Sequence, residues 1–282
     1  MEDVIESSAG EILLGLVIGA LALAFPFRGA ASRPTLLRDI FAAVVSAAFV
    51  VGADALLDIP EAAVIGRLDR WYAVLQQASF WLVVPVYIVL ADLGAYWAHR
   101  ALHTRWLWPT HAWHHSPKHL NWIAGLRGSP VHMIVISAPS YLAFALFPVP
   151  EAGIIAILLF VIGTSNQHYI HSNLKVPFAR QLEWVLVTPR CHFVHHSAEE
   201  RVANSNYGFV FSVWDRLFGT YTDPASVSSD GPLGLGYEVS DWRLALGLPP
   251  PREPGPGVAP GERAAEARVL EAAQIGGGRC RD

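Results

Sequence analysis

Histidine is the residue type best placed to do chemistry in this sequence, because ten of its twelve histidines fall in four short clusters. The clusters read His99-Arg-Ala-Leu-His103, His111-Ala-Trp-His114-His115, His168-Tyr-Ile-His171 and His192-Phe-Val-His195-His196. Neutral imidazole is the commonest protein metal ligand, and positions i, i+3 and i+4 share one face of a helix. Each cluster should therefore present two or three nitrogens in one direction. This is more than one tetrahedral ion can use, so the spacing predicts a two-metal site.

The repeated spacing argues for ligation. The alternative is a set of interfacial histidines satisfied by water and lipid headgroups, which predicts no repeated pattern. Histidine ligation suits iron, copper, nickel or zinc, and the absence of an H-E-x-x-H arrangement argues against a zinc protease. Of the two remaining histidines, His119 is expected at the surface or around the site, and His132 is expected to pack in the core.

The elements that must position these clusters are apolar. Hydrophobic residues make up 52% of the chain, charged residues 16%, and mean hydropathy is +0.34, values that indicate a membrane protein. Apolar runs at 12–27, 39–59 and 79–97 predict N-terminal membrane helices. Runs at 131–147 and 151–162, separated by two prolines, predict a helical hairpin. A net charge of −4 argues against a nucleic-acid partner. The presence of only two cysteines favours a reducing compartment.

Arginine positions orient the predicted spans. Arg28, Arg33 and Arg38 follow the first apolar run, and positive residues stay on the cytoplasmic side. This orientation returns all four histidine clusters to the cytoplasmic boundary. The predicted fold class is an all-α, multi-pass integral membrane protein with four to five apolar helices. Two or three N-terminal spans and the hairpin would be capped by a cytoplasmic, helical, histidine-rich metal domain.

The composition divides the chain into three predicted segments. Residues 1–78 hold the N-terminal membrane helices, residues 79–222 hold the histidine-rich domain, and residues 223–282 form a C-terminal extension. Beyond residue 248 the sequence shifts to Pro, Gly and Ala, which cannot bury enough apolar surface to order themselves. We therefore expect the extension to be largely disordered beyond residue 248.

These motifs resemble the fatty acid hydroxylase/sterol desaturase superfamily of membrane-bound, histidine-rich, non-haem di-iron oxygenases. The matching residues are Asp92-Leu-Gly-Ala-Tyr-Trp-Ala-His-Arg-Ala-Leu-His103, the two H-x-x-H-H clusters, His171-Ser-Asn173, Thr188-Pro-Arg-Cys-His-Phe-Val-His-His-Ser197, Asn206-Tyr-Gly208 and Trp214-Asp-Arg-Leu-Phe-Gly-Thr-Tyr221. The resemblance covers about half of the chain and marks residues 79–222 as a catalytic domain. One departure is that His132 follows Arg127-Gly-Ser-Pro, where many relatives place a histidine before the proline.

The resemblance implies an iron-dependent oxidoreductase that hydroxylates or desaturates a fatty acyl, sterol or related isoprenoid lipid with O2 and two electrons. It implies two iron ions that change between Fe2+ and Fe3+, with zinc as a substitute in purified protein. The expected partners are the lipid, the membrane and a separate electron-transfer protein of cytochrome b5-like, ferredoxin or reductase type. The chain itself has no His-Pro-Gly-Gly haem motif and no G-x-G-x-x-G nucleotide fingerprint.

The predicted site follows from the clusters and the resemblance together. The predicted metal ligands are His99, His103, His111, His114, His115, His168, His171, His192, His195 and His196. Asp92, Asn173 and Asn206 are the predicted catalytic residues around them. Asp92 lies inside an apolar run, where a carboxylate is costly and usually functional or paired. It is expected to orient a ligand histidine or, alternatively, to pair with Arg100 or Arg127. For His168 and His171 the alternative is a core histidine bonded to a backbone carbonyl.

The competing function is a membrane zinc-binding or zinc-transport protein that uses the same clusters. A transporter should carry its ligands at mid-membrane on several spans, whereas these clusters lie in polar segments. That difference favours an enzyme. A family member that has lost its chemistry and serves in protein interactions is the third reading, and the intact clusters argue against it.

Overall fold

The helix that carries the first histidine cluster is long and apolar, as the sequence predicts. In the computed structural model, which describes residues 2–29, 33–57, 71, 74–75, 77–146 and 164–250, five helices form the first part of the chain. They are α1 (Glu2–Ala24), α2 (Arg33–Leu57), α3 (Phe80–Leu102), α4 (Trp108–His111) and α5 (Pro130–Leu146).

Short helices make up the second part of the described chain. They are α6 (Thr164–Ile170), α7 (Ala179–Leu182), α8 (Pro189–His195), α9 (Glu200–Ala203), α10 (Val213–Leu217) and α11 (Asp241–Ala245), with 3-10 turns at Ala124–Leu126 and Pro224–Ser226. Across the described ranges, β-type pairing is limited to isolated bridges such as Leu186 with Phe211. The predicted all-α class is therefore confirmed.

One described segment, Trp81–Leu102 within α3, is long and apolar enough to cross a membrane. Ile12–Ala24 and Pro130–Ala143 are apolar but shorter than a full span. The second arm of the predicted hairpin, 151–162, lies outside the described residues, and so does the predicted disordered tail from residue 251 onward. The number of spans and the side on which the clusters lie stay predictions.

The packing of α3 against α5 depends on a glycine. A Cβ at Gly94 of α3 would lie 2.6 Å from Cβ of Pro139 on α5, so only glycine permits this approach. The two helices pack along each other. As a result, the end of α3, which carries His99 and His103, and the start of α5, which carries His132, belong to one rigid pair.

A second close approach fixes α1 to the loop that follows the second cluster. Gly15 and Gly19 lie one helical turn apart, and a Cβ at either would come within 2.4 to 2.6 Å of the Trp122 indole. The indole therefore lies in a groove that the two glycines leave on α1. Because Trp122 lies two residues before the turn Ala124–Leu126, this contact holds that turn in place.

A buried ion pair joins α2 to the same loop. Asp39 is 0% exposed and its partner Arg127 is 1% exposed. Asn121 Nδ2 donates to Asp39 Oδ2 at 2.6 Å, and Arg127 Nη1 donates to Ser116 Oγ at 2.7 Å. Buried charges persist only when they are paired and hydrogen-bonded. The network therefore ties α2 to the segment that carries the second histidine cluster.

Candidate metal centre

Nine described histidines gather their ring nitrogens into two neighbouring groups. The five-histidine group contains His99, His103, His111, His115 and His195; the four-histidine group contains His114, His171, His192 and His196. Within each group the candidate ligand atoms all lie within 4.8 Å of one another. Four clusters far apart in sequence thus converge on one place.

Each H-x-x-H-H cluster divides its histidines between the two groups. His111 and His115 belong to the five-histidine group and His114 to the four-histidine group, whereas His192 and His196 belong to the four-histidine group and His195 to the five-histidine group. Both clusters have helical hydrogen bonds from i+4 to i. Adjacent helical positions point about 100° apart. Position i+4 therefore points in nearly the same direction as position i, whereas position i+3 points about 100° away from position i+4. For these two clusters the expectation that all histidines point one way was wrong, and each of the two clusters instead contributes to both groups.

Backbone carbonyls fix the tautomer of four of these histidines. The Nδ1 atoms of His99, His171 and His195 lie 2.9, 2.8 and 2.8 Å from the carbonyl oxygens of Tyr207, Gln167 and Ser205. His114 Nδ1 lies 3.1 Å from the carbonyl oxygen of Arg127. A carbonyl only accepts, so each Nδ1 carries the proton of the neutral ring. The lone pair is then on Nε2, directed into the group, as in metal-binding histidines.

The lone pairs that converge in the four-histidine group fit a metal cation. His171 Nε2 lies 3.1 Å from His114 Nε2, although both rings hold their proton at Nδ1, so two lone pairs face each other. An additional proton is disfavoured, because burial lowers the pKa of His171 to about 3 and that of His114 well below its ordinary range. His192 Nε2 is 2.8 Å from the same His171 atom. A metal ion satisfies all of these lone pairs at once.

The five-histidine group has the same character. The Nε2 atoms of His103 and His195 are buried and have no hydrogen-bond partner in the protein. Burial lowers the pKa values of His103, His111, His115 and His195 well below their ordinary range, so these rings stay neutral. Neutral imidazoles whose candidate ligand atoms lie within 4.8 Å of one another, two of them without a hydrogen-bond partner, again fit a metal.

The donor set narrows the choice of metal. Both groups consist of imidazole alone, which suits iron, copper, nickel or zinc and does not suit calcium or magnesium. Cys191 adjoins His192, but burial raises the pKa of its thiol to about 12, so it stays protonated. The cysteine packs beside Ile170 and Val187.

His132 contacts the site more closely than the sequence indicated. Its Nδ1 lies 2.7 Å from Nδ1 of His111, and its ring stacks on His111 and His114 with centroids 4.8 and 5.1 Å away. The expected core packing is therefore packing against two candidate ligands. In the sequence, this contact was indicated only by the position of His132 in the segment where the chain departs from the family pattern.

Besides His132, two histidines lie outside both groups. His168 is buried with its Nδ1 3.3 Å from the carbonyl oxygen of Trp122, so its predicted ligand role stays a prediction. His119 is exposed. Gly125 lies beside the site instead: a Cβ there would be 2.6 Å from the His171 ring. Backbone therefore packs directly against a candidate ligand.

Asp92 anchors a loop. Its carboxylate accepts from the backbone N–H groups of Val210 and Phe211 at 2.8 and 3.0 Å and from Trp214 Nε1 at 2.8 Å. The alternative partner Arg127 pairs with Asp39. These bonds show how Asp92 holds the segment after Tyr207. Its catalytic role stays a prediction.

Asn173 and Asn206 also bond to backbone. Asn173 accepts from Arg28 N and donates to Arg28 O, both at 2.8 Å, which joins the end of α1 to the third cluster. Asn206 has a φ of 54° and donates to the carbonyl oxygen of Cys191 at 3.2 Å. It accepts from Thr222 N at 2.8 Å. Both side chains hold segments that carry or flank ligands, and their catalytic roles stay predictions.

Asp215 is a site-organising residue that sequence reasoning missed. It accepts from the N–H groups of Tyr207 and Gly208 at 2.7 and 2.8 Å and from Thr220 Oγ1 at 2.7 Å. Desolvation outweighs these donors and raises its pKa to about 6. Asp215 fixes the peptide whose carbonyl oxygen orients His99. Its position within the tryptophan–aspartate motif at 214–215 was the available signal.

Comparisons with known proteins agree with this site. The fatty acid hydroxylase family model matches residues 84–220, which include both ligand groups. Alkylglycerol monooxygenase of Xenopus tropicalis is 34% identical over 131 residues, 46% of this chain and 28% of that protein. The ornithine lipid hydroxylase of Rhizobium tropici is 32% identical over 185 residues, 63% and 50% of the two chains. Lathosterol oxidase of Homo sapiens is 27% identical over 168 residues, which are 58% of this chain and 54% of that protein.

The chain thus spans 28% to 54% of the length of these relatives. No solved structure matches it. The matched region contains the histidine clusters that carry the resemblance described above. The family match and these relatives therefore support the assignment of residues 84–220 to the fatty acid hydroxylase/sterol desaturase superfamily.

Proposed function

We propose that this protein is a membrane-bound di-iron oxygenase that hydroxylates or desaturates a lipid. The observation that carries the proposal is the pair of neighbouring all-histidine groups, because two clusters contribute ligands to both. Two metal ions held side by side are what a di-iron oxygenase requires. The relatives add support, since they carry the names of a monooxygenase, a lipid hydroxylase and a sterol-processing oxidase.

One iron ion would be held by the five-histidine group and the other by the four-histidine group, with zinc as a substitute in purified protein. Bound iron supplies the activation of O2 that attack on an unactivated C–H bond needs. The protein's part is to keep the imidazoles neutral, to hold each Nδ1 proton on a fixed acceptor and to exclude bulk water. Burial of the ligands and the carbonyl bonds of His99, His114 and His195 perform that part.

The membrane assignment rests on α3. Its apolar segment ends with His99 and Arg100, and Arg105 follows, so the first cluster lies at the positively charged end of the helix. Positive residues favour the cytoplasmic side. We propose that the protein is multi-pass, with both ligand groups on that side. A separate cytochrome b5-like protein, ferredoxin or reductase delivers the two electrons.

The test begins with protein purified anaerobically and loaded with ferrous iron. Metal content is measured by mass spectrometry, and lipids incubated with O2 and a chemical reductant are analysed for an added oxygen or a loss of two hydrogens. We expect a metal in each group and an iron-dependent, O2-dependent product. Tight zinc with no O2 chemistry after iron loading contradicts the proposal and favours the zinc-binding alternative.

Matched variants sharpen this test. His114→Ala removes a ligand of the four-histidine group and should abolish the product while lowering the metal content. His119→Ala changes an exposed histidine outside both groups and should leave both quantities unchanged. Equal behaviour of the two variants contradicts the ligand assignment.

A further inference from the structure

An apolar strip is formed at the surface by residues of two segments, 178–185 and 213–217. The strip consists of large side chains that are 38% to 76% exposed: Phe178, Leu182, Trp184, Val185, Val213 and Leu217. Soluble surfaces rarely expose so many large apolar side chains together, and such patches mark contacts with proteins or membranes. The strip therefore needs an occupant.

Hydrogen bonds join the two segments of the strip into one surface. Ser212 N donates to the carbonyl oxygen of Val185 at 3.0 Å, and Ser212 Oγ donates to that of Glu183 at 2.7 Å. Arg216 Nη2 also donates to the Glu183 carbonyl oxygen, at 2.8 Å. The start of α10 thus lies against the turn that follows α7.

The strip lies beside the candidate membrane segment of α3. The loop that leads into α10 is bonded to Asp92, and the Phe218 ring that ends α10 lies 4.9 Å from the ring of Trp97. Both α3 residues fall within Trp81–Leu102, and Trp97 is 47% exposed. The exposed face of α3 therefore continues into the strip.

The charge around the strip has one sign. Within 174–190 and 208–221 the acidic residues are Glu183 and Asp215, and each is 1% exposed. Lys175 and Arg180 are exposed, and Arg216 is half-buried with its guanidinium over the Trp184 ring. An apolar surface with a cationic rim complements a bilayer that contains anionic lipids.

We propose that this strip is a second membrane contact, separate from the membrane-spanning helices, that inserts into the interface of a bilayer containing anionic lipids. Tryptophan is enriched at that depth, and the continuity with α3 places the strip at the edge of the predicted span. The strip leads through Val187 into Thr188 and α8. It therefore holds the helix that carries His192 and His195 against the bilayer surface.

Site-directed nitroxides on the full-length protein test the proposal. The background carries Cys280→Ser, and Cys191 is 2% exposed and escapes labelling. Labels at Trp184→Cys and Leu217→Cys report on the strip, and a label at Leu82→Cys, 62% exposed in the candidate span, serves as the lipid reference. The matched control is Trp242→Cys, because Trp242 is 58% exposed and lies beside Asp241 and near the exposed Glu238.

The labelled proteins are reconstituted into vesicles of phosphatidylethanolamine and phosphatidylglycerol. We expect collisions with oxygen to exceed collisions with a water-soluble nickel chelate several-fold at both strip positions and at Leu82→Cys, and the reverse at Trp242→Cys. Nickel accessibility at the strip equal to that at Trp242→Cys overturns the proposal, whatever the result at Leu82→Cys. A strip shielded from both reagents also overturns it, because a second protein copy then covers the surface.

Charge reversal tests the lipid preference. Lys175→Glu combined with Arg180→Glu should lift the strip labels toward water in phosphatidylglycerol vesicles. In vesicles of phosphatidylcholine alone the same double substitution should change the label depth little. An unchanged depth in both vesicles overturns the anionic-lipid part of the proposal. Because none of these measurements uses catalysis, their outcome is independent of the proposed oxygenase activity.

Discussion

His114 and His115 are neighbours in the chain, yet their imidazoles belong to different ligand groups. The two ring centroids are 5.6 Å apart, with their planes at 72°. His115 stacks on His196, at 4.3 Å and 22°, although His196 belongs to the group of His114. Imidazoles of the two groups therefore pack directly against each other. A single peptide bond connects His114 of one group to His115 of the other.

This division predicts a difference between two double variants. His114→Ala with His171→Ala removes two ligands from the four-histidine group and should leave the metal of the five-histidine group in place. His114→Ala with His115→Ala removes one ligand from each group and should weaken both. We expect the second variant to retain less metal after gel filtration, as measured by inductively coupled plasma mass spectrometry.

The two variants share His114→Ala and differ only in the second histidine that is replaced. Equal metal content in both would contradict the division of the clusters. Circular dichroism of each variant confirms that the helices remain.

The contact between His132 and His111 predicts a graded loss of metal affinity. Replacement of an outer hydrogen-bond partner of a metal-binding histidine typically lowers affinity by about 10- to 100-fold. His132→Ala should show a loss of this size, because His111 Nδ1 then lacks its partner at 2.7 Å. Chelator competition measures the change, with His119→Ala as the unaffected control. An affinity unchanged in His132→Ala would show that the contact does not orient His111.

Asp92→Asn separates an anchoring role from a catalytic one. Val210 N, Phe211 N and Trp214 Nε1 all donate to the Asp92 carboxylate. The side-chain NH2 group of asparagine would face these donors and could not accept from them. An unsatisfied buried donor costs about 1–3 kcal/mol. We expect a lower melting temperature and less bound iron, with turnover per bound iron unchanged. Normal stability and iron content with lost turnover would instead support the catalytic role predicted from the sequence.

Local sequence patterns indicated the candidate ligands because imidazole spacing depends on neighbouring residues alone. The clusters ending in His103, His115, His171 and His196 could be recognised without any knowledge of distant contacts. The same patterns could have predicted the division of the clusters, since His195 and His196 are adjacent and adjacent helical positions diverge by about 100°. The expectation that each cluster points in one direction did not take that angle into account.

The partners of the buried charges could not be predicted from spacing. Asp39 lies 88 residues before Arg127, and Asp92 lies 118 residues before Val210. Such pairs follow from how α2 and α3 pack, which the period of one helix does not report. Asp92 was recognised as unusual by its apolar surroundings, but its partner was not. Asp39 lay at the start of a predicted span and gave no signal.

The ion pair of Asp39 and Arg127 predicts a large effect of a small substitution. Asp39→Asn leaves a guanidinium that is 1% exposed without its counter-charge, and breaking a buried pair costs about 3–5 kcal/mol. The carbonyl oxygen of Arg127 also accepts from His114, so metal affinity should fall with stability. Thermal unfolding in detergent and chelator competition measure the two effects.

A neighbouring exposed ion pair supplies the control for this substitution. Asp241→Asn breaks the contact of Asp241 with Arg38, whose side chains are 41% and 46% exposed, and should cost no more than about 1 kcal/mol. Asp39→Leu combined with Arg127→Met should be less destabilising than Asp39→Asn, because no charge is left buried. If the two single variants lose equal stability, the pair at Asp39 is not buried as described.

Acid should destabilise the metal-free protein through its buried imidazoles. Burial lowers the pKa of His171 to about 3 from its ordinary value of 6.5. It also lowers the pKa values of His192 and His196 well below that ordinary value. The unfolded chain then binds more protons than the folded chain between these two values. The free energy of unfolding is therefore highest above about pH 6.5 and decreases as the pH falls toward about 3, by up to about 1.4 kcal/mol per pH unit for each such group.

Thermal unfolding of the metal-free protein between about pH 7 and about pH 5 measures this dependence, and metal-loaded protein should resist it until protons displace the metal. His171→Ala removes one of the contributing rings, so its melting temperature should depend less steeply on pH than that of the unsubstituted chain. His119→Ala removes an exposed ring and should keep the full slope. A melting temperature that stays constant over this range in the unsubstituted chain is incompatible with neutral, buried imidazoles in the metal-free fold.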